Sequence, residues 1–303
     1  MEILKLYPTC KNYIWGGMKL KECFGKQTEL TPVAESWELS FHPDGPTRVE
    51  DGRALEEVFP REAWGTHCKH FDRFPMLIKL IDAAQNLSVQ VHPSDAFALA
   101  NENSYGKTEA WYVVAAEPGA GLYVGFSRDV TQEEFECAIK AGTLTELLNF
   151  YEVKPGECYF IPAGTIHAIG AGCLIYEVQQ NSNITYRVFD YGRVDKNGNP
   201  RELHVEKALR VTDLKKYEKH APSATLSGDE LLAACAYFRL ERLQVTGEES
   251  YTVEQESFAC LTCTSGEGRV GDLPVRVGDS LLIPAGYGKV ALRGDMTLLC
   301  ATV

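Results

Sequence analysis

The chain has 303 residues and a formal net charge of −12, with 45% hydrophobic and 24% charged residues. It is long enough for one large or two ordinary domains, and its composition is that of a soluble globular protein. The acidic balance argues against nucleic-acid or anionic-membrane partners, although a local basic pocket can still hold one phosphate group.

The N-terminal and internal segments show no targeting or membrane-spanning pattern. The first residues lack the apolar core and cleavage site of a signal peptide, and no run approaches the ~18 apolar residues of a membrane span. Ten cysteines are scattered through apolar segments, unlike a secreted disulfide framework. We expect a cytoplasmic protein with free, mostly buried thiols, existing as a monomer or weak homo-oligomer.

Short strand patterns and turns alternate over the first eighty residues. Residues 35–40 alternate like a half-buried strand, whereas residues 53–64 look helical and surface-lying. Residues 74–82 form a buried strand by length and composition, yet Lys79 stands in its middle. Its ammonium either snorkels to an edge or points into a polar site, where it would meet an anionic ligand.

The next strand pattern places three polar side chains on one face. Ser88, Gln90 and His92 alternate with aliphatic residues, which predicts a wall lining a polar cavity. A helical segment follows at 94–103, and Glu109 opens another strand, so His92 and Glu109 can meet across strands. An imidazole, a carboxylate and an amide oxygen suit zinc. The alternative is a core histidine paired with a surface glutamate.

Two helices and then further strands are predicted in the middle of the chain. The first helix begins at Val130 or Thr131, and Ala141-Gly142 separates it from the second. Strand patterns follow at 151–153, 157–161, 173–178 and 184–189. A turn-rich region at 195–228, with a helical piece at 206–211, marks the domain boundary, and residues 237–303 read as short strands.

An internal repeat predicts the architecture. Gly156, Pro162, Gly164 and His167 recur 122 residues later as Gly278, Pro284, Gly286 and Lys289. Repetition at this scale with β patterning indicates two related barrels. The spacing around His167 resembles the second metal motif of the cupin jelly roll, and the Gln90, His92 and Glu109 pattern resembles the first. Lys289 replaces the histidine, so the second copy should bind no metal.

We therefore predict a mainly β protein of two cupin-type jelly-roll barrels with short helical insertions. Residues 1–228 would form an N-terminal catalytic cupin domain with the helical insertions. Residues 229–303 would form a metal-free, cupin-like C-terminal domain.

Six motifs together resemble the type I phosphomannose isomerase family, in the shorter form found in many bacteria, and the resemblance covers nearly the whole chain. They are Tyr13-x-Trp15-Gly-Gly, Ala34-Glu-Ser-Trp-Glu-Leu-Ser40, Leu87-Ser-Val-Gln-Val-His-Pro93, Gly106-Lys-Thr-Glu-Ala-Trp111, Ile161-Pro-Ala-Gly-Thr-Ile-His-Ala168 and Asn183-Ile-Thr-Tyr-Arg-Val-Phe-Asp-Tyr-Gly-Arg193. The resemblance implies a zinc-dependent isomerase that interconverts mannose 6-phosphate and fructose 6-phosphate through a cis-enediol. Its substrate would be a small phosphosugar.

The resemblance also implies roles for individual residues. The ligands of one zinc ion per chain fall on Gln90, His92, Glu109 and His167. The catalytic residues fall on Arg187, Glu177 and Lys79, and the substrate-binding residues on Ser88, Lys79 and Arg187. The separate helical domain of longer members is missing, which leaves the lid and the phosphate contacts open.

Two of these roles keep alternatives. Arg187 either holds the phosphate or stabilises the enediolate. Glu177 lies in an otherwise apolar strand, where burial would raise its pKa toward general-base duty. Alternatively, Glu177 is an internal partner for Lys79 or Arg187.

Other motifs predict no chemistry. Gly106-Lys-Thr108 is a fragment of a nucleotide-binding loop whose first glycine falls on Asn101. Cys260-x2-Cys263 has no partner pair and predicts packed thiols. The remaining histidines lie in polar contexts that predict solvated side chains: His42, His67, His70, His204 and His220.

Two other functions are compatible with a cupin metal site. A non-catalytic bicupin that binds a sugar or metal would keep the ligands and lose Arg187, Glu177 or Lys79, and all three are present. An iron-dependent dioxygenase would favour a histidine-rich shell, and Gln90 in place of a second histidine argues against it.

Overall fold

The computed structural model describes residues 1–194, 198–219 and 230–303. Within these ranges the chain forms 18 strands. In chain order they are β1 (Leu4–Lys5), β2 (Thr9–Lys11), β3 (Glu35–Leu39), β4 (Met76–Asp82), β5 (Val89–Val91), β6 (Glu109–Ala116), β7 (Gly121–Phe126), β8 (Leu148–Glu152), β9 (Cys158–Ile161), β10 (His167–Ile169), β11 (Cys173–Gln180), β12 (Tyr186–Phe189), β13 (Glu230–Ala234), β14 (Arg239–Val253), β15 (Ala259–Val270), β16 (Leu273–Arg276), β17 (Ser280–Ile283) and β18 (Gly288–Thr302).

Helices are few and short, so the mainly β prediction is confirmed. The α-helices in the described ranges are α1 (Lys19–Glu22), α2 (Leu55–Val58), α3 (Asp95–Asn101), α4 (Gln132–Ala141) and α5 (Val205–Val211). Three 3-10 turns lie at Arg61–Ala63, Thr66–His70 and Leu144–Leu147. No helix in these ranges has the length and apolar character needed to cross a membrane.

The strands pair in three antiparallel sheets. A six-stranded sheet has the order β2-β3-β4-β11-β6-β9, and a five-stranded sheet has the order β12-β5-β10-β7-β8. A seven-stranded sheet has the order β1-β17-β15-β18-β14-β13, with β16 paired to β15. The first two sheets come from residues 9–189, whereas the third combines the C-terminal residues with β1.

The five-stranded and six-stranded sheets face each other. Trp111 and Ile175 of the six-stranded sheet share one apolar cluster with Val124 and Ile169 of the five-stranded sheet. On the outer face of the five-stranded sheet, aliphatic side chains of β5 pack against α4 and α5. The alternation predicted for β5 is therefore confirmed, because its polar side chains point between the sheets.

The six-stranded sheet is buried on both faces. Leu80 and Tyr176, on its second face, pack with Leu240 and Leu282 of the seven-stranded sheet. The half-buried strand predicted at 35–40 is thus wrong, since every residue of β3 is buried. Its second face is covered by the C-terminal sheet, a contact that local alternation does not encode.

The sequence repeat is also a structural repeat. Strands β9 and β17 stand at the same offset of 122 residues, and Gly156 and Gly278 before them have φ values of 95° and 88°. Only glycine adopts this conformation readily. The two copies differ afterwards, because His167 is buried at the start of β10 whereas Lys289 is exposed.

The surface helix predicted at 53–64 is partly wrong. Helix α2 ends at Val58, and the next residues, Phe59 and Pro60, lead into a separate 3-10 turn. Proline lacks the N–H that a continuing helix needs. Leu55 and Phe59 are fully buried, so this segment contributes to the core. The helix start at Thr131 is confirmed, since its side chain accepts a hydrogen bond from the backbone N–H of Glu134.

The predicted domain boundary between residues 228 and 229, like His220, lies outside the described residues. The seven-stranded sheet encloses its own apolar core, which includes Leu261, Ile283 and Leu298. Strand β1 joins this sheet by pairing Leu4 with Leu282. The N-terminal segment therefore completes a sheet built mainly from the C-terminal residues.

Candidate active site

A row of functional side chains crosses the centre of the six-stranded sheet. Lys79 on β4 is the ladder partner of Glu177 on β11, which is the partner of Trp111 on β6. The Lys79 Nζ lies 3.2 Å from Glu177 Oε1, and Trp111 Nε1 donates to Glu177 Oε2 at 2.9 Å. All three are buried. The strand register therefore places Lys79 and Glu177 together, facing the five-stranded sheet.

A second row crosses the five-stranded sheet opposite the first. Arg187 on β12 pairs with Gln90 on β5, which pairs with His167 on β10. Arg187 Nε donates to Ser88 Oγ at 3.2 Å. The His167 ring contacts the Trp111 ring across the gap between the sheets, with centroids 5.2 Å apart. The two rows thus enclose one polar space.

His92, Glu109 and His167 converge in this space. Their ligand atoms lie within 4.8 Å of one another, and all three residues are buried. His167 Nε2 is 3.4 Å from Glu109 Oε1, and His92 Nε2 is 3.8 Å from Glu109 Oε2. The amide of Gln90 lies beside them, with Nε2 3.5 Å from His167 Nε2. The structure therefore brings together the four residues predicted as zinc ligands.

Both histidines turn Nε2 toward the centre of this group. The Nδ1 of His92 bonds the carbonyl of Ile184, and the Nδ1 of His167 bonds the carbonyl of Thr165, each at 2.8 Å. A carbonyl can only accept, so Nδ1 carries the proton in each ring. Burial lowers the pKa of both histidines, that of His167 to about 3. Both rings are therefore neutral, as a metal ligand must be.

The carboxylate of Glu109 completes a donor set that fits a divalent cation. Its side chain is fully buried; Oε1 faces His167, and Oε2 lies near His92 and the ammonium of Lys107. Burial raises its pKa to about 8. A buried carboxylate between two neutral imidazoles calls for a positive charge, and this set matches the ligand preference of zinc.

Lys107 places a positive charge beside Glu109 and His92. This lysine was not among the site residues predicted from the sequence. Its Nζ lies 2.9 Å from Glu109 Oε2 and 3.1 Å from His92 Nε2. The signal was available: Lys107 precedes Glu109 by two residues and therefore shares its face in an extended chain. Lys107 is buried and lines the same cavity as Lys79.

Between the two rows lies a cavity of ≈ 300 Å³. Besides the predicted residues it is lined by Tyr13, Glu35, Arg201 and His204, which the site prediction did not include. The solvated side chain predicted for His204 is therefore wrong: its Nδ1 accepts the backbone N–H of Arg187 at 3.3 Å. These four residues come from three segments that are distant in sequence, at residues 13, 35 and 201–204, so only the fold shows that they share a site.

The pKa of Glu177 is shifted in the opposite direction to the one predicted from the sequence. Burial alone would raise its pKa, but the ammonium groups of Lys107 and Lys79 outweigh burial and lower the pKa to about 2. Burial would likewise lower the pKa of Lys79, but Glu35 and Glu177 raise it. The expectation of a raised pKa at Glu177 is thus wrong, and its alternative as an internal partner of Lys79 is what the geometry shows.

The two cysteines of the Cys260-x2-Cys263 motif are packed in the core, as predicted. Cys260 and Cys263 are fully buried in apolar clusters, which confirms packed thiols. All ten cysteines are free, and eight of them are buried or half-buried.

Family models match both ends of the chain. The model described as "Phosphomannose isomerase type I, catalytic domain" matches residues 3–113, and the model described as "Mannose-6-phosphate isomerase, cupin domain" matches residues 229–303. The cupin prediction for the C-terminal residues therefore agrees with an independent family description.

Full-length relatives agree with these models. The chain is 38% identical to mannose-6-phosphate isomerase ManA of Bacillus subtilis, over 97% of this chain and 96% of that protein. It is 35% identical to the mannose-6-phosphate isomerase of Streptococcus mutans, over 95% and 94% of the two chains. The crystal structure of the mannose 6-phosphate isomerase from Bacillus subtilis superposes with a TM-score of 0.92 at 33% identity and covers 100% of both chains.

Proposed function

The chain belongs to the type I phosphomannose isomerase family, and on this premise we propose that it is a zinc-dependent aldose–ketose isomerase. It interconverts mannose 6-phosphate and fructose 6-phosphate by proton transfer through a cis-enediol. The observation that carries this proposal is the buried group of His92, Glu109 and His167, which lies beside the cavity holding Lys79, Glu177 and Arg187.

The metal would be held by His92, Glu109, His167 and the amide oxygen of Gln90. Neutral imidazoles fixed through Nδ1 and a buried carboxylate that faces both of them support this assignment. When bound, zinc supplies Lewis-acid stabilisation of the oxyanion that develops during isomerisation. We expect one zinc per chain, because Lys289 replaces the corresponding histidine in the second copy.

The proton of the sugar C2 would pass to Glu177. The two ammonium groups beside it keep Glu177 ionised at neutral pH, so it is in the state that accepts a proton. Its low pKa makes it a weak base. Lys79, held protonated between Glu35 and Glu177, places a positive charge beside the negative charge that develops on the sugar.

Arg187 would bind the substrate's anionic groups. It lies half-buried in the cavity wall and is oriented by Ser88. The cavity of ≈ 300 Å³ is at the lower end of small-molecule sites, which suits a single sugar phosphate.

We also propose that the division into residues 1–228 and 229–303 separates catalysis from structural support. The family-model match at 229–303 supports this division. The ten free cysteines support a reducing, cytoplasmic location.

Isomerisation in heavy water tests the mechanism. A proton-transfer route predicts that some product carries solvent deuterium at the transferred position, whereas a hydride shift within the sugar incorporates none. A chelator should abolish turnover, and added zinc should restore it. If the zinc-replete protein bound mannose 6-phosphate without isomerising it, the alternative of a non-catalytic, sugar-binding bicupin would replace the proposal.

A further inference from the structure

Two arginines bond one buried carboxylate near the cavity mouth, and a third arginine lies close to it. Asp190 is only 6% exposed. Arg201 donates to it with two nitrogens, Nε to Oδ2 at 2.7 Å and Nη2 to Oδ1 at 2.5 Å. Arg193 contacts the same carboxylate. Arg187, on the strand that ends just before Asp190, is the third arginine. Together these four side chains carry two more positive than negative charges.

The excess positive charge lies on the cavity wall. Arg187 and Arg201 both line it, whereas Arg193 is absent from its wall and donates instead to the carbonyl of Asn86. Burial, and after it the charge of Arg201, lowers the pKa of Arg187. The two cavity-lining guanidinium groups are therefore close enough to repel each other.

Arg187 also has no carboxylate partner in the described part of the chain. Its guanidinium donates only to neutral oxygens, the Ser88 hydroxyl at 3.2 Å and the Glu202 carbonyl at 2.9 Å. The cations deeper in the cavity differ, because Lys79 and Lys107 are each paired with glutamates. The uncompensated positive charge is thus concentrated at the outer end.

We propose that Arg187 and Arg201 together bind the dianionic phosphomonoester group of the substrate, and that Asp190 is a positioning residue that presents Arg201 to it. Asp190 holds one edge of the Arg201 guanidinium, and Nη1 and the outer N–H of Nη2 have no partner among residues 1–194, 198–219 and 230–303, so they can bind a ligand. A planar guanidinium fits phosphate oxygens through paired hydrogen bonds. This inference rests on the proposed function and names the phosphate contacts of the same site.

The strand register indicates how the substrate would be oriented in the cavity. Arg187 and His167 flank Gln90 on adjacent strands, so their backbones are two strand spacings apart, about 10 Å. The phosphate would therefore lie at the cavity mouth, with the sugar carbons extending inward to the cluster of His92, Glu109 and His167.

Substitution of Arg201 tests the proposal. Arg201→Met should raise KM for mannose 6-phosphate by about 10- to 100-fold, the effect of losing a charge-assisted hydrogen-bond pair. It should change kcat much less and leave the zinc content unchanged. Arg201→Lys should recover part of the loss, because it keeps the charge without the paired geometry. Arg128→Met, which removes an exposed arginine paired with Glu134, is the control for net charge.

The positioning role of Asp190 requires its own measurement. Asp190→Asn should raise KM by a smaller factor than Arg201→Met, with kcat nearly retained. A merely structural role would instead lower the melting temperature and the active fraction, and leave KM unchanged. That second pattern would overturn the role given to Asp190.

Calorimetry separates the failure of this inference from failure of the proposed function. Wild-type protein should bind mannose 6-phosphate much more tightly than mannose, and Arg201→Met should lose most of that preference. An isomerising Arg201→Met variant with unchanged KM and preference would overturn the subsite while the proposed function stands. Phosphate-dependent binding by a wild type that does not isomerise would support the subsite and overturn the function.

Discussion

Lys79 and Glu177 are direct ladder partners on neighbouring strands, with Nζ 3.2 Å from Oε1 in a fully buried setting. Neither side chain is neutralised by burial, because Glu35 and Glu177 raise the pKa of Lys79, and Lys107 and Lys79 lower the pKa of Glu177. A buried pair of this kind contributes little net stability when intact but is costly to break. Its position in the cavity wall means that the site holds its charges in place before substrate arrives.

The first prediction concerns pH. The pKa of Glu177 falls from an ordinary 4.5 to about 2 on folding, so its stabilising effect is complete above pH 4.5 and is lost as pH falls toward 2. Glu177→Gln should therefore reduce the free energy of unfolding by about 3 kcal/mol at neutral pH. This difference from wild type should shrink below pH 4.5. Denaturant unfolding at several pH values measures it.

The matched control is Glu117→Gln, which removes an exposed carboxylate paired with Lys19. It should change stability little at any pH. A Glu177→Gln penalty that stayed constant down to pH 2.5 would contradict the folded-state ionisation of Glu177.

The second prediction concerns metal stoichiometry. Purified protein should contain one zinc per chain, because the exposed Lys289 stands where His167 stands in the first copy. Lys289→His should not raise the count, since the second copy lacks the partners that Gln90, His92 and Glu109 provide. Elemental analysis measures this, and a value near two would contradict the metal-free assignment of the C-terminal unit.

The third prediction ranks the ligands. His92→Ala and His167→Ala should lose zinc and activity together, whereas Gln90→Ala should weaken zinc binding less, because a neutral amide oxygen is the poorest donor of the four. Zinc content and turnover are measured on the same samples. His70→Ala, at an exposed histidine, should retain both. Complete zinc loss in Gln90→Ala would refute the ranking.

The fourth prediction concerns Arg187. Arg187→Ala should lower turnover by about 100-fold or more while zinc content stays intact, because the side chain acts on the substrate. Kinetics and metal analysis together provide the test. Unchanged turnover would remove Arg187 from the catalytic machinery.

The fifth prediction concerns Lys107. Its ammonium contacts Glu109 and His92, so a divalent cation must compete with it for these ligands. Lys107→Met should raise zinc affinity, by about tenfold if one charge-assisted hydrogen bond is involved. Competition with a chelator of known affinity measures the change. Weaker zinc binding in this variant would show that Lys107 supports the site instead of competing for it.

Much of the site could be predicted from local patterns. The alternation through Gln90 and His92 shows which side chains share one face of a strand. The motif that ends at His167 is also confined to a few neighbouring residues. Lys107 followed from the same rule, since it lies two residues before Glu109, and was nonetheless missed. The four predicted ligands now lie together around one point.

Other features depend on contacts that no local pattern contains. The pairing of Lys79 with Glu177 requires the register of strands about a hundred residues apart. The lowered pKa of Glu177 depends on the ammonium groups of Lys107 and Lys79, so burial alone predicted the wrong direction. The full burial of β3 depends on a C-terminal sheet that forms from residues far along the chain. Arg201 lines the cavity only because the fold brings its segment to β12, where it bonds Asp190.

The pairing of Leu4 with Leu282 has a consequence for biosynthesis. Strand β1 pairs with a strand far along the chain, so the C-terminal sheet cannot be completed until β17 has been synthesised. A gene fragment encoding residues 229–303 alone would leave β17 as an open edge with unpaired N–H and C=O groups, a template for intermolecular pairing. Fusions or truncations that disturb residues 4–5 therefore expose the same edge in the full-length protein.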